Sequence, residues 1–180
     1  MEHEGYLQKL MQYIYFFFLS AFVGFLWEGT LTLLRDNELC KRGFFYGPWL
    51  PVYGVGGVLF YLLLHRLKKH HVLCFFLSAA IGTALELVIG LLIRQVYHLN
   101  YWDYSGFNFN YLGLICLLSS IGFGLAGVFW VGYFSRYALL WWNKLPIKKQ
   151  KALLLLLLLL FTIDCIIAVP APHTGRGVTF

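Results

Sequence analysis

Four apolar runs, at roughly 14 to 34, 72 to 93, 111 to 134 and 152 to 169, are each long enough to cross a bilayer, for which about 17 to 25 helical residues suffice. A fifth, at roughly 51 to 65, is short by itself and is lengthened by the irregular stretch before it. Hydrocarbon offers no partner to backbone amides, so a chain with this pattern must satisfy them within helices. The expectation is an all-α, polytopic membrane protein of five transmembrane helices, a single integral membrane domain over 1–180. Only 12% of its residues are charged, against about 25% in soluble domains.

The charges sit at the ends of the runs. Lys9, Arg66, Lys68, Lys69, Arg136, Lys144, Lys148, Lys149 and Lys151 fall on one face of the bilayer, and Arg35, Lys41, Arg42, Arg94 and Arg176 on the other. The positive-inside rule then puts the N-terminus in the cytoplasm and the C-terminus outside. Anionic membrane lipid accounts for the net charge of +6 and leaves no case for nucleic acid. Segment 135–151, which mixes Leu, Trp and Lys, reads as an interfacial piece or as a docking surface for a cytoplasmic partner. The tail from Val169 reads as a short disordered end. Cys40, Cys74, Cys116 and Cys165 form no CxxC pair and no HExxH occurs, so neither a metal site nor a cofactor is expected.

Arg42 to Gly57, RGFFYGPWLPVYGVGG, interrupts this regularity with two prolines and five glycines in sixteen positions. A lipid-facing helix cannot begin there before about Pro51. Irregular backbone at membrane depth survives only inside protein or against a wet cavity, which makes this re-entrant stretch a candidate binding element; the plainer reading is an elbow between two spans. A weak internal duplication accompanies it. Glu28, Arg35, Gly43-Phe44 and Gly54 to Gly57 recur in order as Glu86, Arg94, Gly106-Phe107 and Gly122 to Gly127, which describes two parallel copies of a two-helix unit. The GxGxxG match at Gly122 to Gly127 lies inside a span with no strand before it, so it reads as close helix packing.

Glu28 and Glu86 each stand fourteen residues into their runs, roughly 21 Å from the cytoplasmic boundary by the helical rise; Asp164 stands at roughly 18 Å in the last run. Charges at such depths are costly and must face inward. Three readings are open for the glutamates: pairing with Arg35 and Arg94 along their own helices, two walls of one outward-opening cavity for a cation or protonatable substrate, or an acid and base pair. The loop YWDYSGFNFN adds Trp102, Asp103, Tyr104, Asn108 and Asn110, a typical amphipathic recognition surface. Within it, Asp103 with Ser105 also fits a turn, and Asn110 a cap for the fourth span. Asp103 and Arg42 fall on one face and could pair. With Tyr53 of the glycine-rich stretch, the candidate binding residues are Glu28, Arg42, Tyr53, Glu86, Trp102, Asp103, Tyr104, Asn108 and Asn110.

Gly24, Trp27-Glu28, the run from Arg42 to Gly56, Leu85-Glu86, WDYS at Trp102 to Ser105, Phe107-Asn108 and Gly113 together resemble the CmpB-like ABC-transporter type IV family of small bacterial membrane proteins, over about 14 to 134. The sequence departs from that family's pattern at Phe25, where a second Trp is usual, and at Leu87, where an aromatic is. The resemblance implies a permease-like role in the bacterial cytoplasmic membrane, completed by a homodimer or by a second membrane subunit with an ATPase docking near 135–151. No GxxxxGK[ST] occurs, so any nucleotide hydrolysis belongs to another polypeptide. A binding or assembly factor holding a lipid, peptide or partner protein is the alternative, and a membrane-embedded enzyme the third reading.

Overall fold

The computed structural model describes residues 2–37 and 43–174, the side chains of residues 2–4, 35 and 36 excepted. Helix α1 (Glu2–Asp36) is followed by an irregular segment at 43–50, α2 (Pro51–Leu64) with a 3-10 turn at His65–Leu67, and α3 (His71–Tyr97). A loop then carries the two-residue strands β1 (Asn110–Tyr111) and β2 (Ile115–Cys116), paired antiparallel. Beyond it run α4 (Leu117–Phe129), a π-helical turn (Trp130–Phe134), α5 (Ser135–Lys144) and α6 (Ile147–Ala168). Four helical stretches are long and apolar enough to cross a membrane, Gly5–Leu34, His71–Tyr97, Leu117–Lys144 and Ile147–Ala168, with Pro51–Leu67 as a shorter apolar one. The protein is all-α and multi-pass.

Two expected boundaries shift. The fourth span begins at Leu117, because the β1–β2 hairpin occupies 110–116 and Cys116 caps the helix, its sulfur accepting from the Ser119 amide. Asn110 is therefore no helix cap. Segment 135–151 is not one interfacial piece: 135–144 continues the fourth span through the π turn, and the chain breaks only at Leu145-Pro146. Packing explains the continuation. Trp142 is 1% exposed and stacks on Tyr15 of α1 at 4.5 Å between ring centroids, in a core with Phe16, Phe60, Leu64 and Trp130. Stacked aromatic pairs of this kind add to the stabilisation from burial itself.

The segment before α2 descends into the bundle. The Leu50 amide donates to the Ala21 carbonyl at 3.1 Å, about 15 residues below the end of α1 and so roughly 22 Å down its axis. Buried amides there need acceptors, and Asp164 of α6 supplies them. Its carboxylate accepts from the Tyr46 amide at 2.9 Å, the Gly47 amide at 2.7 Å and the Trp49 indole at 2.6 Å. Asp164 faces inward as expected, and its role is to hold irregular backbone. The tail is not disordered over 169–174. Carbonyls of Val169, Ala171 and His173 accept from the hydroxyls of Tyr97, Tyr46 and Tyr101, and the His173 amide donates to Phe44.

The duplication is carried by interhelical contacts. In α1–α2, Gly24 lies against Tyr53, Gly54 against Phe17 and Gly57 against Ser20; in α3–α4, Gly82 lies against Phe123, Gly124 against Phe75 and Gly127 against Ser78. Every first-helix pair is 58 residues apart (Ser20 and Ser78) and every second-helix pair 70 apart (Gly57 and Gly127). At the crossing of the copies the relation closes on itself: a methyl at Gly57 would stand 3.4 Å from Trp130, and one at Gly127 would stand 3.4 Å from Phe60. Phe60 and Trp130 are themselves 70 apart. Small residues let the helix pairs approach closely, and α1 and α3 run in one direction, the arrangement of a parallel repeat. The likeness stops at the loops. The second connection is longer by twelve, the excess of 70 over 58, and Gly43-Phe44 and Gly106-Phe107 are not equivalent: Phe44 packs on Tyr97 and Tyr101, Phe107 on Tyr104.

Candidate functional site: two phenol-capped carboxylates

Glu28 and Glu86 occupy the same register of the two copies, 58 residues apart. In each, the conserved spacing from the packing glycine, Gly24 or Gly82, sets the carboxylate one helical turn further on, so both side chains leave the helix beside the neighbouring one. Tyr53, in the first turn of α2, donates its hydroxyl to Glu28 Oε1 at 2.6 Å. Tyr104, in the long loop, reaches down to donate to Glu86 Oε1 at 2.8 Å. The Ser119 hydroxyl lies 3.0 Å from Glu86 Oε2. Glu86 is buried and Glu28 partly exposed.

Burial raises the Tyr104 phenol well above its ordinary value, the charge of the bonded Glu86 adds to that, and the charge of Glu28 adds again. The arrangement can hold a cation or a hydrogen-bond donor, because an ionised carboxylate only accepts and each phenol stands where such a group would bind. Arg94 does not pair with Glu86: its guanidinium donates to Asn100 Oδ1 at 2.7 Å and to the Leu112 carbonyl at 3.1 Å, bracing the loop. The side chain of Arg35 lies outside the described ones, so the matching pairing with Glu28 is not described.

Of the other candidates, most build the loop. Asp103 accepts from the Ser105 amide at 2.8 Å and hydroxyl at 2.9 Å, a turn closed by its own side chain. Those bonds, with the nearby Arg94 charge, hold its carboxyl below the usual range. Asn110 donates to the Phe107 carbonyl at 2.8 Å and the Ser105 carbonyl at 3.3 Å, and the Trp102 indole donates to Leu114 at 2.8 Å. Asn108 is exposed. Arg42 lies outside the described residues, and with it the pairing to Asp103. Among the nine candidates, the structure pairs Glu28 with Tyr53 and Glu86 with Tyr104.

Ser119 was not among the residues expected here: it lies inside the apolar run that begins at 111, and it stands in the first turn of the span only because the hairpin at 110–116 moves the helix start to Leu117. The repeat also shows in a shared pentapeptide. Phe-Phe-Leu-Ser-Ala occurs at both 17–21 and 75–79, each followed at matching spacing by Gly and Glu.

The protein-family model described as "Putative ABC-transporter type IV" matches residues 14–169, so the likeness extends through α6 beyond the span first expected. No curated protein and no solved structure matches the chain.

Proposed function

The chain belongs to the ABC-transporter type IV family, which gives it a transport-related role, and we propose that it is a permease-like subunit of the bacterial cytoplasmic membrane whose substrate is cationic or protonatable. The observation that carries this reading is the placement of Glu28 and Glu86 at one register of a parallel repeat, each covered by a phenol. Substrate displaces the Tyr53 and Tyr104 hydroxyls and takes the carboxylates as acceptors, with the loops at 43–50 and 98–116 as the outer roof. Symmetric repeats with a site at their interface and irregular backbone over it are the common build of membrane transporters.

In this reading the N-terminus is cytoplasmic and the chamber opens outward. A second copy or another membrane subunit completes the pathway, and an ATPase supplies the energy from the basic end of the bundle. Purification from native membranes followed by flux in proteoliposomes tests it. The expected result is a co-purifying ATPase and flux of an organic cation that Glu28→Gln and Glu86→Gln each reduce. Flux unchanged by both substitutions would remove the carboxylates from the site.

A further inference from the structure

At the end of the bundle opposite the carboxylates, a cavity of about 520 Å³ opens between the α2–α3 turn and the π turn of the fourth span. His65, Lys68, Lys69, His71 and Arg136 line it, and none of its lining residues is an Asp or Glu. Among the described residues, no hydrogen bond or ion pair engages the side chains of Lys68, Lys69 or Arg136. Lys68, Lys69 and Arg136 are exposed at its rim, so water screens their repulsion, and what their shared sign adds is a preference for an anion.

The local geometry is shaped to leave room. The π turn at Trp130–Phe134 adds a residue to one helical turn, a device frequent at functional sites. It places Gly132 on the wall, where a methyl would meet only His71, at 4.0 Å. Two imidazoles are held by rings: His65 stacks on Tyr61 at 5.1 Å and His71 lies parallel to Tyr133 at 6.5 Å. His65 Nδ1 is 2.8 Å from the Tyr61 carbonyl; a carbonyl only accepts, so Nδ1 carries the proton and Nε2 is left for another partner.

We propose that this cavity is a binding site for a phosphate group, the chemistry common to an anionic phospholipid headgroup and to a soluble phosphate compound. Lysines and a guanidinium are the usual donors to phosphate oxygens, and an imidazole whose Nδ1 proton is already engaged donates through Nε2 only as the imidazolium. Basic pockets between spans take lipid headgroups in this way, and the volume suits a phosphoglycerol group better than a bare ion. The site is separate from the carboxylates and stands or falls independently of them.

The full chain, purified in detergent, is to be examined by native mass spectrometry for retained phosphatidylglycerol and phosphatidylcholine, and by titration with inorganic pyrophosphate. Wild type retains phosphatidylglycerol about tenfold over phosphatidylcholine or binds pyrophosphate, and Lys68→Gln/Lys69→Gln/Arg136→Gln loses that by about tenfold. Gly132→Leu, which fills the cavity with its charge intact, loses it comparably, whereas Lys148→Gln/Lys149→Gln/Lys151→Gln keeps it. Should Gly132→Leu fail to fold, the contrast between the two charge triples decides. Displacement of the lipid by pyrophosphate assigns the site to soluble phosphates, and retention of lipid without pyrophosphate binding assigns it to a headgroup. Equal losses in the two triples, no preference for either phosphate probe, or an acidic protein captured in place of phosphate would overturn the proposal.

Discussion

Glu28 and Glu86 hang from the same frame, yet the connections that follow their helices differ. In the first copy the irregular segment is held from outside the repeat, by Asp164 of α6; in the second, the longer loop is braced from within, by Asp103, Asn110 and Arg94. Glu28 has one phenol and some exposure, Glu86 a phenol, a hydroxyl and burial. The repeat thus supplies matched carboxylates, while the connections differ: one hangs on Asp164 of α6, and the other is braced mainly by its own turn, with Tyr101 tied to the tail at His173.

The largest effect that would break this contrast is expected at Asp164. Asp164→Ala leaves three donors without their acceptor, at roughly 1 kcal/mol or more each. Thermal unfolding in detergent should show a loss of about 3 kcal/mol or more, and hydrogen exchange should open 43–50 while 98–116 stays protected. Equal exposure of both segments would deny that the two connections are held separately. The frame itself should behave symmetrically. Gly57→Val and Gly127→Val drive a side chain into Ser20 and Ser78, and each should cost about 1–3 kcal/mol, as overpacking does; a large disparity would mean that the copies are not equivalent.

The glycine-aromatic stretch announced its own irregularity, since prolines at 48 and 51 and missing side chains at 54, 56 and 57 dictate where a helix can begin. The depth of the carboxylates was likewise legible, because apolar runs measure distance in helical rises. What a linear reading missed is what long-range packing decides. Nothing local to Asp164 says that its partners lie about 115 residues earlier. Trp142 looks interfacial beside Lys144 and Lys148, until Tyr15 is seen to cover it. Arg94 has the right spacing to neutralise Glu86 on paper, but the carbonyl and amide of the loop above it are nearer. The tail resembles a disordered end by composition, and over 169–174 it is tyrosines of three other segments and the Phe44 carbonyl that hold it.

Smaller effects sharpen the difference between the sites. Tyr104→Phe removes a donor from a buried carboxylate and should cost about 1–2 kcal/mol, while Tyr53→Phe, beside the more exposed Glu28, should cost less; unfolding of the two variants under identical detergent compares them. The smallest effect is at Asp103. Its folded value lies below the unfolded one, so the stability it contributes is present above about pH 4 and fades as pH falls through the folded value. Asp103→Asn should therefore flatten the acid limb of the unfolding curve slightly and leave neutral pH nearly unchanged.

The central claim is that Glu28 and Glu86 line one space reached from one side of the membrane. In a background lacking the native cysteines, Glu28→Cys and Glu86→Cys would each be treated with a cationic, membrane-impermeant thiol reagent in oriented vesicles. The account predicts that both react from the face bearing the 98–116 loop and that modifying either slows the other when the two are combined. Reaction from opposite faces, or rates in the double variant that are independent of one another, would contradict it.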